Sequence, residues 1–221
     1  AARTEGHEWL DEDRVAALEP ALAGRFRKAL FFREEAHLDP RAALEGLHRK
    51  LAAQGVRFHF GTAELSAGTF SHVVDCTGAA AIGALPGLRG VRGEMLHLET
   101  EEIALARPVR LLHPRHPLYI VPRVGGRFMV GATMLDSEDA APISARSLME
   151  LLNAAYALHP AFGEARLIEA RAGIRPAFAD NLPRVIHNGG VTHINGLYRH
   201  GFLLSPAMAQ QAAGLLQRKA A

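Results

Sequence analysis

The residues best suited to recognising a small charged molecule are Ala172-Gly173-Ile174-Arg175-Pro176 and Asn195-Gly196-Leu197-Tyr198-Arg199-His200-Gly201. A guanidinium presents a planar fork of donors that matches a carboxylate, so Arg175 suits the capture of a small acid in one orientation. The same arginine would equally serve a structural ion pair with a nearby carboxylate such as Asp180, and spacing does not separate the two uses. Gly196 and Gly201 flank a turn leading to a C-terminal helix. Glycines let backbone approach a ligand closely, and a helix N-terminus offers N–H groups and positive potential, which together suit an electron-rich acceptor. Turn geometry alone would use the same glycines.

Other side chains carry weaker signals. Tyr119 can offer a hydroxyl to a carboxylate, although a tyrosine on a strand is more often half-buried packing. Met134 follows Gly131-Ala132-Thr133, where a flexible apolar side chain can limit a pocket or simply fill a core. His113 and His116 are separated by Pro114-Arg115 and lack partners at ligand spacing, which argues against zinc, and no metal is expected. Cys76, the only cysteine, reads as a buried strand residue with no neighbouring base or helix end to activate it.

Elements that would position these residues can be read in order. Asp11 caps a short helix that runs to Leu18 and is stopped by Glu19-Pro20, after which a loop follows; the charged residues before Asp11 also read as helical. Asp39-Pro40 starts a second helix with Leu44, Leu47 and Leu51 on one stripe and Gly55 at its end. Val56 to Phe60 and His72 to Asp75 read as strands, the second running into Cys76-Thr77-Gly78. From Gly93 the pattern changes: Glu94 to Glu99 alternates, and Leu118 to Pro122 and Phe128 to Thr133 flank Gly125-Gly126 as a hairpin. Ser144 caps a helix with Leu148, Leu151, Leu152, Ala155 and Leu158 at helical spacing, ended by His159-Pro160. Leu167 to Ala172 and Val191 to Asn195 read as strands, and Ser205-Pro206 as the start of a last helix toward Lys219. This predicts three regions, 1–89, 90–190 and 191–221: α/β elements, an antiparallel sheet with a covering helix, and a closing strand and helix.

Composition narrows the class. The 221 residues are 48% hydrophobic, enough for one sizeable core or two small ones. A net charge of +2 with scattered basic residues argues against nucleic acid. The most apolar stretch, Ala79 to Leu88, is broken by Gly83, Pro86 and Gly87 and falls short of the roughly 20 residues a membrane helix needs. A single cysteine and the lack of an opening basic-then-apolar segment fit a reducing, cytoplasmic location. Because residue 1 is alanine, the chain is expected to begin within a longer protein.

Taken together, Leu118-Tyr119-Ile120-Val121-Pro122-Arg123, Met129-Val130-Gly131-Ala132-Thr133-Met134, Ala172-Gly173-Ile174-Arg175-Pro176 and Tyr198-Arg199-His200-Gly201-Phe202-Leu203-Leu204-Ser205-Pro206 resemble, in order and spacing, glycine oxidases of the thiamine-biosynthesis type in the D-amino acid oxidase superfamily. The resemblance extends back through Val73-Val74-Asp75-Cys76-Thr77-Gly78 and His37-Leu38-Asp39-Pro40 to Leu18-Glu19-Pro20. It implies a mixed α/β and α+β fold, an antiparallel-sheet substrate domain with covering helices joined to part of an FAD-binding Rossmann-like domain. By the same resemblance Arg175 clamps the substrate carboxylate, Tyr119 is a second donor, Arg199 lies near flavin and substrate, and Met134 lines a pocket for a small amino acid. Thr77 and Gly78 would approach the adenine side of FAD, and Arg199, His200, Gly201, Phe202, Leu203 and Leu204 the flavin edge.

The implied reaction is hydride transfer from the substrate α-carbon to flavin, then hydrolysis of the imine to an oxo acid and ammonia, with dioxygen reoxidising the flavin and releasing hydrogen peroxide. Glycine, sarcosine and D-amino acids all remain open as substrates, as does a homo-oligomeric state. Two positions depart from the family pattern: Leu197 stands where histidine is usual, and His200 where asparagine is common. The family's strand–Gly-x-Gly-x-x-Gly–helix, which places a pyrophosphate on a helix N-terminus, is absent from these 221 residues. The expectation is therefore that these residues alone bind no FAD. A non-catalytic binding or assembly subunit, working with a separate dinucleotide-binding partner, is the alternative.

Overall fold

The computed structural model describes residues 5–62, 70–113, 117–188 and 190–220, with side chains described up to Gln217. Along the chain run β1 (His7–Asp11), α1 (Glu12–Leu18), β2 (Lys28–Phe32), α2 (Pro40–Ala53), β3 (Val73–Asp75), β4 (Arg89–Glu99), β5 (Val109–Leu111), β6 (Leu118–Arg123), β7 (Arg127–Gly131), α3 (Ala145–Leu158), β8 (Arg166–Ala177), β9 (Arg184–Asn188), β10 (Val191–Asn195) and α4 (Gly201–Ala220). They form two compact units, each drawn from three segments. One comprises Ala1–Asp39, Glu94–Thr133 and Ala141–Ala172; the other comprises Pro40–Gly93, Met134–Ala140 and Gly173–Ala221.

The first unit is built on antiparallel pairing. Strands follow the order β5-β6-β7-β4-β8, and the β6–β7 hairpin turns through Gly125 and Gly126 at φ of 76° and 66°, angles that a side chain resists. Alternation along β4 puts Leu96 and Leu98 at 0% exposure, where they meet Ile120 of β6 and Val130 of β7 in one core. Helix α3 covers this sheet because Leu151, Ala155 and Leu158 recur at helical spacing and are buried. Its first turn is capped as the sequence indicates, with the Ser144 hydroxyl accepting from the Ser147 N–H at 3.1 Å. Phe162 closes the end of the core edge-on to Phe128, ring centres 5.2 Å apart.

In the same unit Asp11 caps α1 through the Arg14 N–H at 3.0 Å. The residues just before it are not helical. They pair with β2 from His7↔Phe32 to Asp11↔Lys28, so a hairpin occupies the stretch read as helix and then loop. Neither His-Glu-Trp-Leu-Asp nor Lys-Ala-Leu-Phe-Phe alternates apolar and polar residues, so no period-two signal marks these short, distant runs as strands.

The second unit has a three-stranded sheet in which β10 lies parallel to β3 and antiparallel to β9. Its core is small: Ala81, Leu85 and Leu88 pack with Phe178, which is 0% exposed. Helix α2 ends as expected, with Gly55 at φ 86° and the Val56 N–H returning to the Leu51 carbonyl at 3.1 Å. Residues Val56 to Phe60 are not a strand, contrary to their β-branched and aromatic composition. Phe58 and Phe60 instead meet His48 of α2, ring centres 4.2 and 5.6 Å away. Helix α4 begins at Gly201, earlier than Ser205-Pro206, since the Leu204 N–H already bonds to the His200 carbonyl at 2.9 Å. Pro206 sits inside it, removing one donor to the ladder. No helix among the described residues is long and apolar enough to cross a membrane.

Candidate functional site

The second unit holds Thr77, Gly78, Met134, Arg175 and Arg199 through Leu204; Tyr119 belongs to the first. Arg175 lies near the end of β8, two residues before its last, because the strand runs on past Ala172, where the sequence pattern ended it. The residue is half-buried, and its guanidinium lies over the backbone of β4 at Gly93, where an added Cβ would stand 2.0 Å from Nη1. Asp180, the alternative partner, is engaged elsewhere: it takes Arg184 at 2.9 Å and the Leu182 N–H at 3.1 Å.

The next residue ties this strand to the C-terminal turn. The Pro176 carbonyl accepts the Tyr198 N–H at 3.1 Å, and the Tyr198 hydroxyl reaches the Met134 sulfur at 3.5 Å. Tyr198 holds φ at 50°, a conformation uncommon outside glycine and therefore maintained by its surroundings. Gly196, two residues earlier, has φ of 78° and lies against the Phe178 ring, 2.6 Å from Cε2 to where a Cβ would stand. Arg199 and His200 follow, exposed, and His200 is also the residue whose carbonyl starts the α4 ladder. The N–H groups of Gly201, Phe202 and Leu203 thus precede the first helical bond and have no partner inside the helix. A Cβ placed at Gly201 would meet nothing within 4 Å.

Thr77 and Gly78 join the same cluster through Asn195. Its buried amide donates to the Gly78 carbonyl at 3.0 Å and its side-chain oxygen accepts the Gly196 N–H at 2.8 Å. Asn195, Tyr198 and Gly93 are thus structural members of the site that residue types alone did not single out. The available signals were slight: a polar residue ending an apolar strand, an aromatic between two glycines, and a glycine opening an alternating run.

Below this turn His193 of β10 faces Asp75 of β3 at 3.0 Å, and Asp75 also accepts the Thr77 N–H at 2.8 Å. Partial burial would raise the Asp75 pKa, but the Thr77 and His193 hydrogen bonds outweigh it and hold the carboxyl below its ordinary value. A depressed folded-state pKa means stabilisation that is present above the unfolded-state value and is lost as pH falls through the folded one. Asp75→Asn is accordingly expected to lower the unfolding temperature at neutral pH, with the difference from the parent shrinking as pH drops below the ordinary carboxyl range. Equal differences at pH 7 and pH 3 by circular dichroism would contradict this.

Cys76 is exposed and lies just after β3, correcting its reading as a buried strand residue. Desolvation of the thiol and the Asp75 charge push its pKa up, so it has little thiolate character. In the first unit, Tyr119 pairs with Gly131 across the hairpin, and its hydroxyl would be 3.0 Å from a Cβ at that glycine. Among the described residues no group of three His, Cys, Asp or Glu side chains converges on a metal position; His116 lies outside them.

A Rhizobium etli protein carrying the name thiamine biosynthesis oxidoreductase ThiO is 67% identical over 211 residues, 96% of this chain and 64% of the relative. Glycine oxidase of Bacillus licheniformis is 28% identical over 233 residues, covering 95% of this chain and 62% of the enzyme. The crystal structure of glycine oxidase from Geobacillus kaustophilus superposes with a TM-score of 0.79 at 26% identity, over 98% of this chain and 64% of that one. The chain thus spans a little under two thirds of the length of these relatives. Residues 1–215 match the DAO model, described as FAD dependent oxidoreductase, and the chain belongs to that family.

Proposed function

We propose that the protein to which this chain belongs oxidatively deaminates glycine or a similarly small amino acid, releasing hydrogen peroxide, in the service of thiamine biosynthesis. The observation that carries the reading is the backbone bond from Tyr198 to Pro176, which couples the strand bearing Arg175 to the turn bearing Arg199 and the open end of α4. A carboxylate fork and a set of unspent N–H donors are thereby neighbours in one unit. The names of the relatives, thiamine biosynthesis oxidoreductase and glycine oxidase, support the substrate class.

The residues fit a flavin's acceptor edge. Gly201, Phe202 and Leu203 offer N–H groups at a helix N-terminus whose positive potential favours negative charge, and Gly201 leaves room for close approach. Thr77, whose N–H donates to Asp75, and Gly78, held by Asn195, would take the adenine side. FAD, when bound, supplies the two-electron acceptor. The chain's own contribution is positional: Arg175 orients the carboxylate, Tyr119 adds a hydroxyl donor, Met134 restricts the side-chain space, and Arg199 adds positive charge. In this reading 90–190 corresponds to the substrate-binding region, while 191–221 and the elements around 73–78 belong to the cofactor-binding one. A Gly-x-Gly-x-x-Gly segment supplied in the longer protein would grip the pyrophosphate.

The test uses the protein at the full length of its relatives. It is expected to purify yellow and to form peroxide from glycine in a coupled peroxidase assay. A colourless protein that yields no peroxide from glycine, sarcosine or D-alanine would overturn the proposal.

A further inference from the structure

We propose that Gly93 is a positioning residue for substrate recognition: the bare backbone of β4 at this point is the seat that fixes the direction of the Arg175 guanidinium. The inference rests on the carboxylate-binding reading of Arg175 and adds what holds that side chain in place.

The geometry is specific to this glycine. A Cβ at Gly93 would stand 2.0 Å from Nη1 and 2.1 Å from both Nη2 and Cζ of Arg175, so the planar end of this side chain lies over the strand at that point. The neighbours on β4 show how tightly the rest is fixed. Arg92 is 4% exposed and its guanidinium binds the Asp139 carbonyl, while its backbone pairs with Leu135 in both directions at 2.9 and 3.0 Å. Gly90 is held by the Glu138 carboxylate at 2.8 Å, and a Cβ there would meet Ile174 at 2.7 Å. The strand therefore cannot retreat from an added methyl group at position 93, and Arg175 must move instead. An arginine carries several rotatable bonds, and pressing its fork on a backbone surface removes that freedom before any ligand arrives, which is the usual source of gain from preorganisation.

Three variants in the full-length enzyme test this: Gly93→Ala, Arg175→Ala and the double variant. Displacing a binding group by about 1 Å or more costs on the order of 100-fold, so Gly93→Ala is expected to raise KM for glycine by about that factor with kcat little changed. The dissociation constant of acetate, an unreactive carboxylate, should rise in parallel by calorimetry. In the Arg175→Ala background the same glycine substitution should change neither value more than about twofold, because the group it displaces is gone. Thermal unfolding supplies a readout independent of turnover: Gly93→Ala should lower the midpoint, and adding Arg175→Ala should restore it by vacating the space that the new methyl needs. Equal effects of Gly93→Ala in the two backgrounds, or wild-type KM and acetate affinity in Gly93→Ala, would overturn the proposal. An unchanged KM in Arg175→Ala would instead remove the carboxylate reading on which it rests.

Discussion

Replacing Arg175 with alanine is expected to raise KM for the amino-acid substrate by roughly 30-fold to a few thousand-fold while leaving flavin content unchanged. The range follows from a charge-assisted contact worth about 2–5 kcal/mol, at tenfold per about 1.4 kcal/mol. Arg175 is half-buried, and the bond that ties its strand to the C-terminal turn is made by the Pro176 backbone, so losing the guanidinium leaves that bond in place. Lysine at the same position should recover only part of the loss, since an ammonium keeps the charge but cannot offer two parallel donors. Steady-state kinetics beside the flavin absorbance per protein separates the two effects. Wild-type KM, or a parallel loss of flavin, would show that Arg175 serves the fold and not the substrate.

The second large effect is on stability. Phe178→Ala is expected to destabilise the protein by about 3–5 kcal/mol, as large aromatic truncations in closed cores do. The second unit's buried cluster consists of Ala81, Leu85, Leu88 and this ring, with Ile82 and Ile186 packed against it, so the ring is its bulkiest member. The ring also supports two features outside that cluster: Arg184 stacks over it at 4.2 Å, and the Gly196 turn lies against its edge. Urea unfolding of Phe178→Ala beside Val124→Ala, at a position 96% exposed in the β6–β7 turn, provides the comparison. The exposed substitution should fall within about 0.5 kcal/mol of the parent. A Phe178→Ala loss below about 1 kcal/mol would mean that the unit is held by its hydrogen-bonded sheet more than by this core.

Much of the first unit was legible because its signals are local. Ser144 and Asp11 advertise their caps, Gly125-Gly126 the hairpin turn, and the Leu151, Ala155, Leu158 spacing the covered face of α3. The hairpin of β1 and β2 was not legible, for its two strands are short and separated by α1, and only pairing gives them a register. Val56 to Phe60 has strand-forming composition, yet its aromatics pack on His48, an outcome that propensity does not encode. At the site, arginine and glycine types pointed to Arg175 and to the Arg199 turn. Asn195 and Tyr198 were obscure because their roles lie in backbone partners distant in sequence, Gly78 and Pro176. Gly93 was obscure for a further reason: its function is to provide an absence, visible only when another side chain occupies it.

That occupancy links two positions that are far apart along the chain. A guanidinium seated over position 93 disfavours a side chain there, whereas a smaller residue at 175 releases that restriction and leaves 93 free to vary. The pair should therefore drift together through sequence space, and, with Arg175 in the proposed carboxylate role, redesign toward ligands lacking a carboxylate would begin with two mutations, one to remove the fork and one to fill its seat.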